Sequence, residues 1–428
     1  MRQFDKSNAM LARAEAVIPL GSQTFSKSRT QFPVGVSPLY LSHGKGAQVW
    51  DVDGNAYTDF INSQCAVTIG YCEPEIDNSV QEQLGRGVIL SLPAELEAEV
   101  AEQICQMVPC AEMVRFGKNG SDATAGCIRI SRAFTGRDHV AVCGYHGWQD
   151  WYIGSTARNR GVPQATRDLT HSFAYNDLAS LERVFAEHPG QIAAVILEPM
   201  NVAYPAPGFL EGVREICTRE GAVLVFDETI TGFRYANGGA QELFGVTPDL
   251  ASFGKGIANG YPVSAVAGRR DIMKEMEEVF FSFTFGGELL SLAAASATLK
   301  KLRREPVLDS IARTGTSVID GVRSLIADYK LEEVLSVEGH PSWSFLIMKD
   351  QPEADAFAMK TLMMQEFHQA GILAYGTHNI SHAHGAAEVE ALLNAYRVFL
   401  PKLGDALAKG NILDTLRCAP LVPLFKIR

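Results

Sequence analysis

In the middle of the chain, short apolar runs alternate with longer stretches whose apolar positions recur at helical spacing. Ala141-Val142-Cys143, Ala193 to Leu197 and Val223 to Phe226 are too short for helices and read as buried parallel strands. Ala123 to Phe134, ahead of the first of them, reads as a helical run. This alternation predicts an α/β fold, with a mostly parallel sheet covered on both faces. Ahead of it, Asn8 to Val17 reads as a short amphipathic helix, and PLGSQTFSKSRTQFPVGVSP as an irregular polar segment. PLYLSHGKGAQVWDVDGNAYTDF reads as a hairpin of two strands around Gly44 with a turn at Asp53-Gly54, and Ile76 to Arg86 as a helix. From about Pro306 the pattern becomes helix, then strands in VLSVEGHPSWSFLIM, then helices near Ala354 to Ala370 and Ala386 to Leu400. That is a smaller α+β domain, to which the N-terminal hairpin adds. The expected division is 1–60 and 306–428 for the small domain and 61–305 for the large one.

Composition narrows the class. The 428 residues, 46% of them hydrophobic, suffice for a large core, and two domains fit that length. Thirty-eight cationic against 49 acidic side chains give 38 − 49 = −11, with no basic block, which argues against nucleic acid or an anionic membrane as partner. A small-molecule enzyme fits better. The eight cysteines form no CxxC and no dense cluster, so no metal site or disulfide framework is expected, and reduced thiols are the default. MRQFDKSNAMLARAEAVIPL lacks the unbroken apolar core of a signal peptide, and no stretch reaches the length of a membrane span. A cytoplasmic location is expected.

The candidate chemistry centres on 222–259. Asp227 and Glu228 stand at the carboxyl end of the Val223 to Phe226 strand, where open α/β sheets place their chemistry. Twenty-eight positions on (255 − 227 = 28), Lys255 is held between Gly254 and Gly256, which puts its amine in a tight turn. Taken singly, these are an ordinary strand-end cap and a loop lysine. Together they are the two halves of a pyridoxal 5'-phosphate site. A buried carboxylate keeps the proton on the cofactor's ring nitrogen, and a desolvated lysine holds the cofactor as an imine and then moves the substrate proton. Asp227 and Lys255 are the expected catalytic residues. In FGKNGSDAT, Gly120 and Ser121 precede a helical run, so their backbone N–H groups and hydroxyl suit a phosphate seat. In CGYHGWQDW, Tyr145 follows a strand and offers a flat face for stacking, with His146 beside it.

DETITGFR followed by PDLASFGKGIANGYPVSAVAGRRDIM resembles the class III aminotransferases of fold type I, among them the glutamate-1-semialdehyde 2,1-aminomutase group. The likeness runs from about Glu15 to about Arg397. It implies a large parallel-sheet cofactor domain, a smaller α+β domain built from both termini, and pyridoxal phosphate as cofactor. It also implies Tyr145 as the stacking ring, Glu198 and Asn201 near the cofactor's phenolic oxygen, and Thr229 on the ring, where relatives have a hydrophobic residue. The glutamate that relatives carry at Asp122 points away from the phosphate. FSFTFGGELLSLAAA matches the segment whose threonine, here Thr284, reaches the partner's phosphate, which implies a homodimer. Where the aminomutases are proline-rich, this chain has GSQTFSKSRTQFP; Asn62-Ser63-Gln64-Cys65 replaces their SWG stretch, and Gly286-Gly287-Glu288-Leu289 their SGNP. These changes cluster where substrate is recognised. They point to an aminotransferase taking its amine from an amino acid, L-glutamate, and giving it to a keto or aldehydo sugar. Ser22, Gln23, Thr24, Ser26 and Ser28 on the arm, with pocket-facing Asn62 and Gln64, suit hydroxyls. Arg29, Gln64 and Trp148 are the expected substrate contacts, though Lys27 and Arg234 could serve as well as Arg29. An aminomutase and an omega- or beta-amino acid aminotransferase are the alternatives, and a cofactor-free binding subunit is a fourth. No metal is expected, since His378, His382 and His384 have no carboxylate or cysteine to complete a set.

Overall fold

The computed structural model describes residues 2–352 and 354–422. Strands β1 (Leu41–Lys45), β2 (Gln48–Asp51) and β3 (Ala56–Asp59) come first. Then follow β4 (Met113–Gly117), β5 (His139–Cys143), β6 (Thr170–Ser172), β7 (Ile192–Leu197), β8 (Val223–Asp227), β9 (Leu250–Phe253) and β10 (Ser264–Gly268). The series closes with β11 (Leu335–His340), β12 (Trp343–Met348), β13 (Ile372–Leu373) and β14 (Thr377–Asn379). The chain divides into two compact units, one running from Pro74 to Leu308 and the other combining residues up to Glu73 with those from Asp309. The first break thus falls after Glu73 rather than at residue 60, so Asn62 to Tyr71 belong to the smaller unit. Residues 423–428 of the expected C-terminal domain lie outside the described ones.

The larger unit is built on one sheet in the order β4-β10-β9-β8-β7-β5-β6. From β9 to β6 every pairing is parallel, and only β10 runs against both its neighbours. Alternate side chains enter two separate cores, as the period of two requires. Val140, Val142, Ala194, Ile196, Val223 and Val225 meet Ala123, Cys127 and Ile130 of the helix Gly120–Thr135. Ala141, Val195, Leu197, Leu224 and Phe226 meet Leu181 and Val184 of the helix Leu178–Glu187 and Leu210, Val213 and Ile216 of the helix Phe209–Glu220. All six residues of β7 are buried, the mark of a strand covered on both faces. Gly126 sits inside the helix Gly120–Thr135 because a Cβ there would come within 2.7 Å of Phe281. Its helix cost of roughly 1 kcal/mol is offset by the close approach of that helix to β10.

The smaller unit holds two sheets, β1-β2-β3-β13 and β11-β12-β14. The expected two-stranded hairpin is a three-stranded meander. The Asp53-Gly54 turn joins β2 to β3, while Gly46 turns β1 into β2 and Gly44 lies inside β1. Buried Asp51 shapes that corner, accepting from Asn55 N at 2.8 Å and Tyr57 Oη at 2.8 Å. The first helix spans Asp5–Glu15, three residues earlier than its pattern suggests, because Asp53 accepts from Lys6 N at 2.7 Å and Ser7 N at 2.9 Å. No helix among the described residues is long and apolar enough to cross a membrane.

Candidate active site

Five strands of the larger unit deliver residues to one cavity. Gly120, Ser121 and Thr124 follow β4, Tyr145 to Gly147 follow β5, and Glu198 follows β7. Asp227 closes β8 with Thr229 and Ile230 next, and Lys255 follows β9. These five strands run in the same direction, so the residues converge at the carboxyl edge of the sheet. The cavity measures about 180 Å³. One ordered water needs only roughly 15 Å³, so the space suits a ligand.

Lys255 opens a 3-10 turn, Lys255–Ala258, at a φ of +43°. A left-handed conformation costs a residue with a Cβ roughly 1–2 kcal/mol. Buried Ile257 and Ala258 anchor the turn, and Gly254 precedes it in extended conformation. The strain is thus met by packing, and it fixes where the amine leaves the backbone.

Asp227 is buried at the end of β8 with both oxygens engaged. Oδ2 lies 2.9 Å from His146 Nδ1, and Oδ1 accepts from Ser252 Oγ at 3.0 Å and from Thr229 N at 3.1 Å. The other nitrogen of His146 lies 3.2 Å from the Cys143 carbonyl, so both face oxygen acceptors. Burial pushes the Asp227 carboxyl upward, but the hydrogen bond and charge of His146 outweigh it and hold the group below its ordinary value. Glu198 is moved the other way, first by burial and then by the charge of Asp227. Its Oε2 accepts from Tyr145 N at 3.1 Å and from Asn201 Nδ2 at 3.0 Å. The two neighbouring carboxyls are thereby shifted in opposite directions, Asp227 toward the anion and Glu198 toward the protonated form.

The helix Gly120–Thr135 begins at the cavity, where the Asn119 carbonyl accepts from Asp122 N and Ala123 N while Gly120 and Ser121 precede the first intrahelical bonds. Asp122 turns back onto its own cap, where Oδ2 accepts from Asn119 N at 2.8 Å and Lys118 N at 3.1 Å. Its charge is therefore directed at the cap. Ser121 Oγ accepts from Trp148 N at 3.3 Å. Gly147, at a φ of +101°, closes over this hydroxyl so tightly that a Cβ would fall 2.2 Å from it. The methyl of Thr229 lies 2.8 Å from where a Cβ of Gly120 would stand and 3.3 Å from that of Gly254. Thr229 therefore packs between the helix start and the lysine turn.

Of the residues singled out in the sequence, Gly120, Ser121, Tyr145, His146, Glu198, Asp227, Thr229 and Lys255 line this one cavity. Asn201 reaches it only through Glu198. Tyr145 leaves its ring 44% exposed, edge-on to Tyr152 at 5.7 Å. Trp148 is 67% exposed, so it is a surface side chain rather than core, whereas Trp151 is buried beside His146. Thr284 is exposed on the stretch before the helix Leu289–Arg304 and does not line this chain's cavity. Arg29 and Gln64 belong to the smaller unit, where Arg29 pairs with Glu15 and Gln64 Oε1 accepts from Tyr375 Oη at 2.6 Å. Asn62 does not face a pocket: it is fully buried and donates to the Asn379 carbonyl. Arg234 is buried as well. Sequence reasoning missed Ser252 and Thr124. The signal for Ser252 was a hydroxyl inside the otherwise apolar strand LASF, directly opposite Asp227 in the β8–β9 register.

Solved structures with this architecture include transaminases, among them one described with pyridoxal phosphate bound. The internal aldimine form of the FumI protein of Sphingopyxis sp. MTA144 superposes with a TM-score of 0.88 at 29% identity, over 94% of this chain and 98% of that one. A beta-phenylalanine aminotransferase from Variovorax paradoxus matches at 0.83 and 26% identity, over 94% and 96%. The Aminotransferase class-III profile matches residues 31–384, and the chain belongs to that family of pyridoxal phosphate-dependent enzymes. A glutamate-1-semialdehyde 2,1-aminomutase of Syntrophobacter fumaroxidans is 39% identical over 336 residues, 74% of this chain and 77% of that protein. A 3-aminobutyryl-CoA aminotransferase of Cloacimonas acidaminovorans is 38% identical over 318 residues, 72% and 76%.

Proposed function

We propose that the chain transfers an amino group from an amino acid donor, L-glutamate, to an oxo acceptor, with Lys255 and Asp227 as its catalytic residues. The observation that carries this reading is a single cavity in which a strained lysine, an ionised buried carboxylate and a helix N-terminus meet. That set of groups fits pyridoxal phosphate. The N–H groups and hydroxyl at Gly120 and Ser121 would take its phosphate, the ring of Tyr145 one face, and Asp227 its ring nitrogen. His146 and Ser252 orient the carboxylate, Glu198 and Asn201 would serve the phenolic oxygen, and the methyl of Thr229 the ring. Bound there, the cofactor draws electrons from the substrate's amine-bearing carbon. Lys255 Nζ takes the proton from that carbon and returns it in the reverse half-reaction.

The acceptor we propose is a keto or aldehydo sugar, supported by the hydroxyl-bearing arm in which Ser22, Thr24 and Ser26 hydrogen-bond among themselves. Trp148 would form a substrate wall. A second reading, the aminomutase, is favoured by the 39% identical relative. A third, a beta-amino acid aminotransferase, is favoured by the relative acting on 3-aminobutyryl-CoA and the neighbour named for beta-phenylalanine. The test is a single-turnover spectrum of the cofactor-loaded protein with L-glutamate and no acceptor. Loss of the bound-cofactor band with matching 2-oxoglutarate release, then turnover of oxo-sugars, is the expected result. Conversion of glutamate-1-semialdehyde without a donor would replace this reading by the second, and turnover of beta-amino acids alone by the third.

We also propose a homodimer in which Thr284 serves the partner's site. Phe280 (84% exposed), Phe283 and Phe285 flank Thr284 in the sequence and are exposed, as are Ile89, Leu90 and Leu92 in the same unit, an apolar share that calls for cover. Phe285→Asp is expected to give a monomer by sedimentation with at least a tenfold loss of turnover. A monomeric parent, or a dimeric variant of full activity, would sink the idea.

A further inference from the structure

At the far edge of the large sheet, three imidazoles from three elements lie in contact. His139 opens β5, His171 is the middle residue of β6, and His188 follows the helix Leu178–Glu187, which carries the chain from β6 to β7. Ring centroids are 3.9 Å apart for His171 and His188, 4.9 Å for His139 and His188, and 5.1 Å for His139 and His171. One nitrogen from each ring lies within 4.8 Å of the other two, and His139 Nδ1 and His171 Nε2 are 2.8 Å apart. Two imidazole nitrogens at that distance share one proton, so at least one presents a lone pair. All three rings are partly exposed, which leaves a path from solvent. Among the described residues none of the three forms an ion pair with a carboxylate.

We propose that His139, His171 and His188 form a binding site for a borderline divalent transition-metal ion of the zinc class. Imidazole nitrogen is a ligand that zinc, nickel and copper accept and that magnesium and calcium do not favour. Ligands at about 2.0–2.1 Å from a tetrahedral ion stand roughly 3.4 Å from one another. The observed spacings, 2.8 Å at the shortest and 4.8 Å at the limit, bracket that value. The rings stand within 9° to 27° of parallel, so binding requires them to turn about their side-chain torsions until one nitrogen of each faces the ion, with a fourth position left for water.

The site stands apart from the amine chemistry. His139 begins β5 and Cys143 ends it, so four strand steps, roughly 13 Å, separate the imidazoles from the cavity edge. A metal held here works on the fold. β6 is a three-residue edge strand that pairs only with β5, and an ion bridging the three histidines ties it to β5 and to the following helix. Binding to the native state alone raises apparent stability by mass action.

The test uses untagged, cofactor-loaded protein stripped with a chelator, titrated with zinc by calorimetry and with cobalt by its visible absorption, alongside His171→Ala and His188→Ala. The parent is expected to bind one zinc per chain, to give a four-coordinate cobalt spectrum and to melt higher with zinc. Each variant is expected to bind at least tenfold more weakly and to lose the zinc-dependent melting shift, while retained amine transfer reports an intact fold. No stoichiometric binding by the parent, or equal binding by the parent and both variants, overturns the site. Zinc taken up elsewhere, for instance on exposed Cys72, gives that second result.

Discussion

Lys255→Ala is expected to lower turnover by on the order of 10³-fold or more, because it removes the one amine among the cavity-lining residues. Proton transfer at the substrate carbon then has no lysine amine in the pocket to carry it. The fold should survive. Alanine meets the same left-handed backbone at +43° that lysine does, and the packing of Ile257 and Ala258 is untouched. Melting within a few degrees of the parent, with cofactor retained only by noncovalent contacts, is the expected accompaniment. Borohydride reduction should attach cofactor mass to the peptide carrying Lys255 in the parent and to no peptide in the variant. Turnover within tenfold of the parent would remove Lys255 from its assigned role.

Asp227→Asn is expected to cost on the order of 10²–10³ in kcat, the range seen when one preorganised electrostatic partner is removed. The amide keeps the size of the carboxylate and can still accept from Ser252 and Thr229, so little packing is lost. What goes is the negative charge facing His146. Because that charge persists below the usual carboxylate range, the parent's activity should show no acid limb from Asp227 near neutral pH. A fall in kcat with donor KM changed only a few-fold would mark an electronic role, whereas loss of cofactor with an unaltered rate at saturation would mark a purely structural one.

Both residues were legible in the sequence for a physical reason. Asp227 ends an unbroken apolar run and Lys255 is bracketed by glycines, and such local signals survive without knowledge of the rest of the fold. The sheet's parallel character was legible too, since helical stretches separate its central strands. The direction of β10 was not, because Ser264–Gly268 is small and apolar enough for either sense, and its pairing with β4 is decided by contacts far along the chain. Asn62 to Cys65 hid for another reason. All four residues have positive φ, between +46° and +66°, a left-handed turn that no glycine announces. It stands because Asp59 accepts from Ile61 N and Asn62 N, and Asn62 reaches the Asn379 carbonyl. Asp53 capping a helix 46 positions earlier is likewise invisible to local spacing. So are the histidines at 139, 171 and 188, gathered only when β5, β6 and the end of the following helix pack together.

The meander of the smaller unit also sets a schedule. β3 is completed by β13, and the partners Thr58 and Ile372 are 372 − 58 = 314 residues apart. On a ribosome adding 5–20 residues each second, that neighbour arrives roughly 15–60 s after β3 has emerged. For that interval the nascent chain carries a sheet edge with its amides and carbonyls bare, open to pairing with other chains. Newly made protein thus carries an edge that can template pairing with other chains until Ile372–Leu373 arrive.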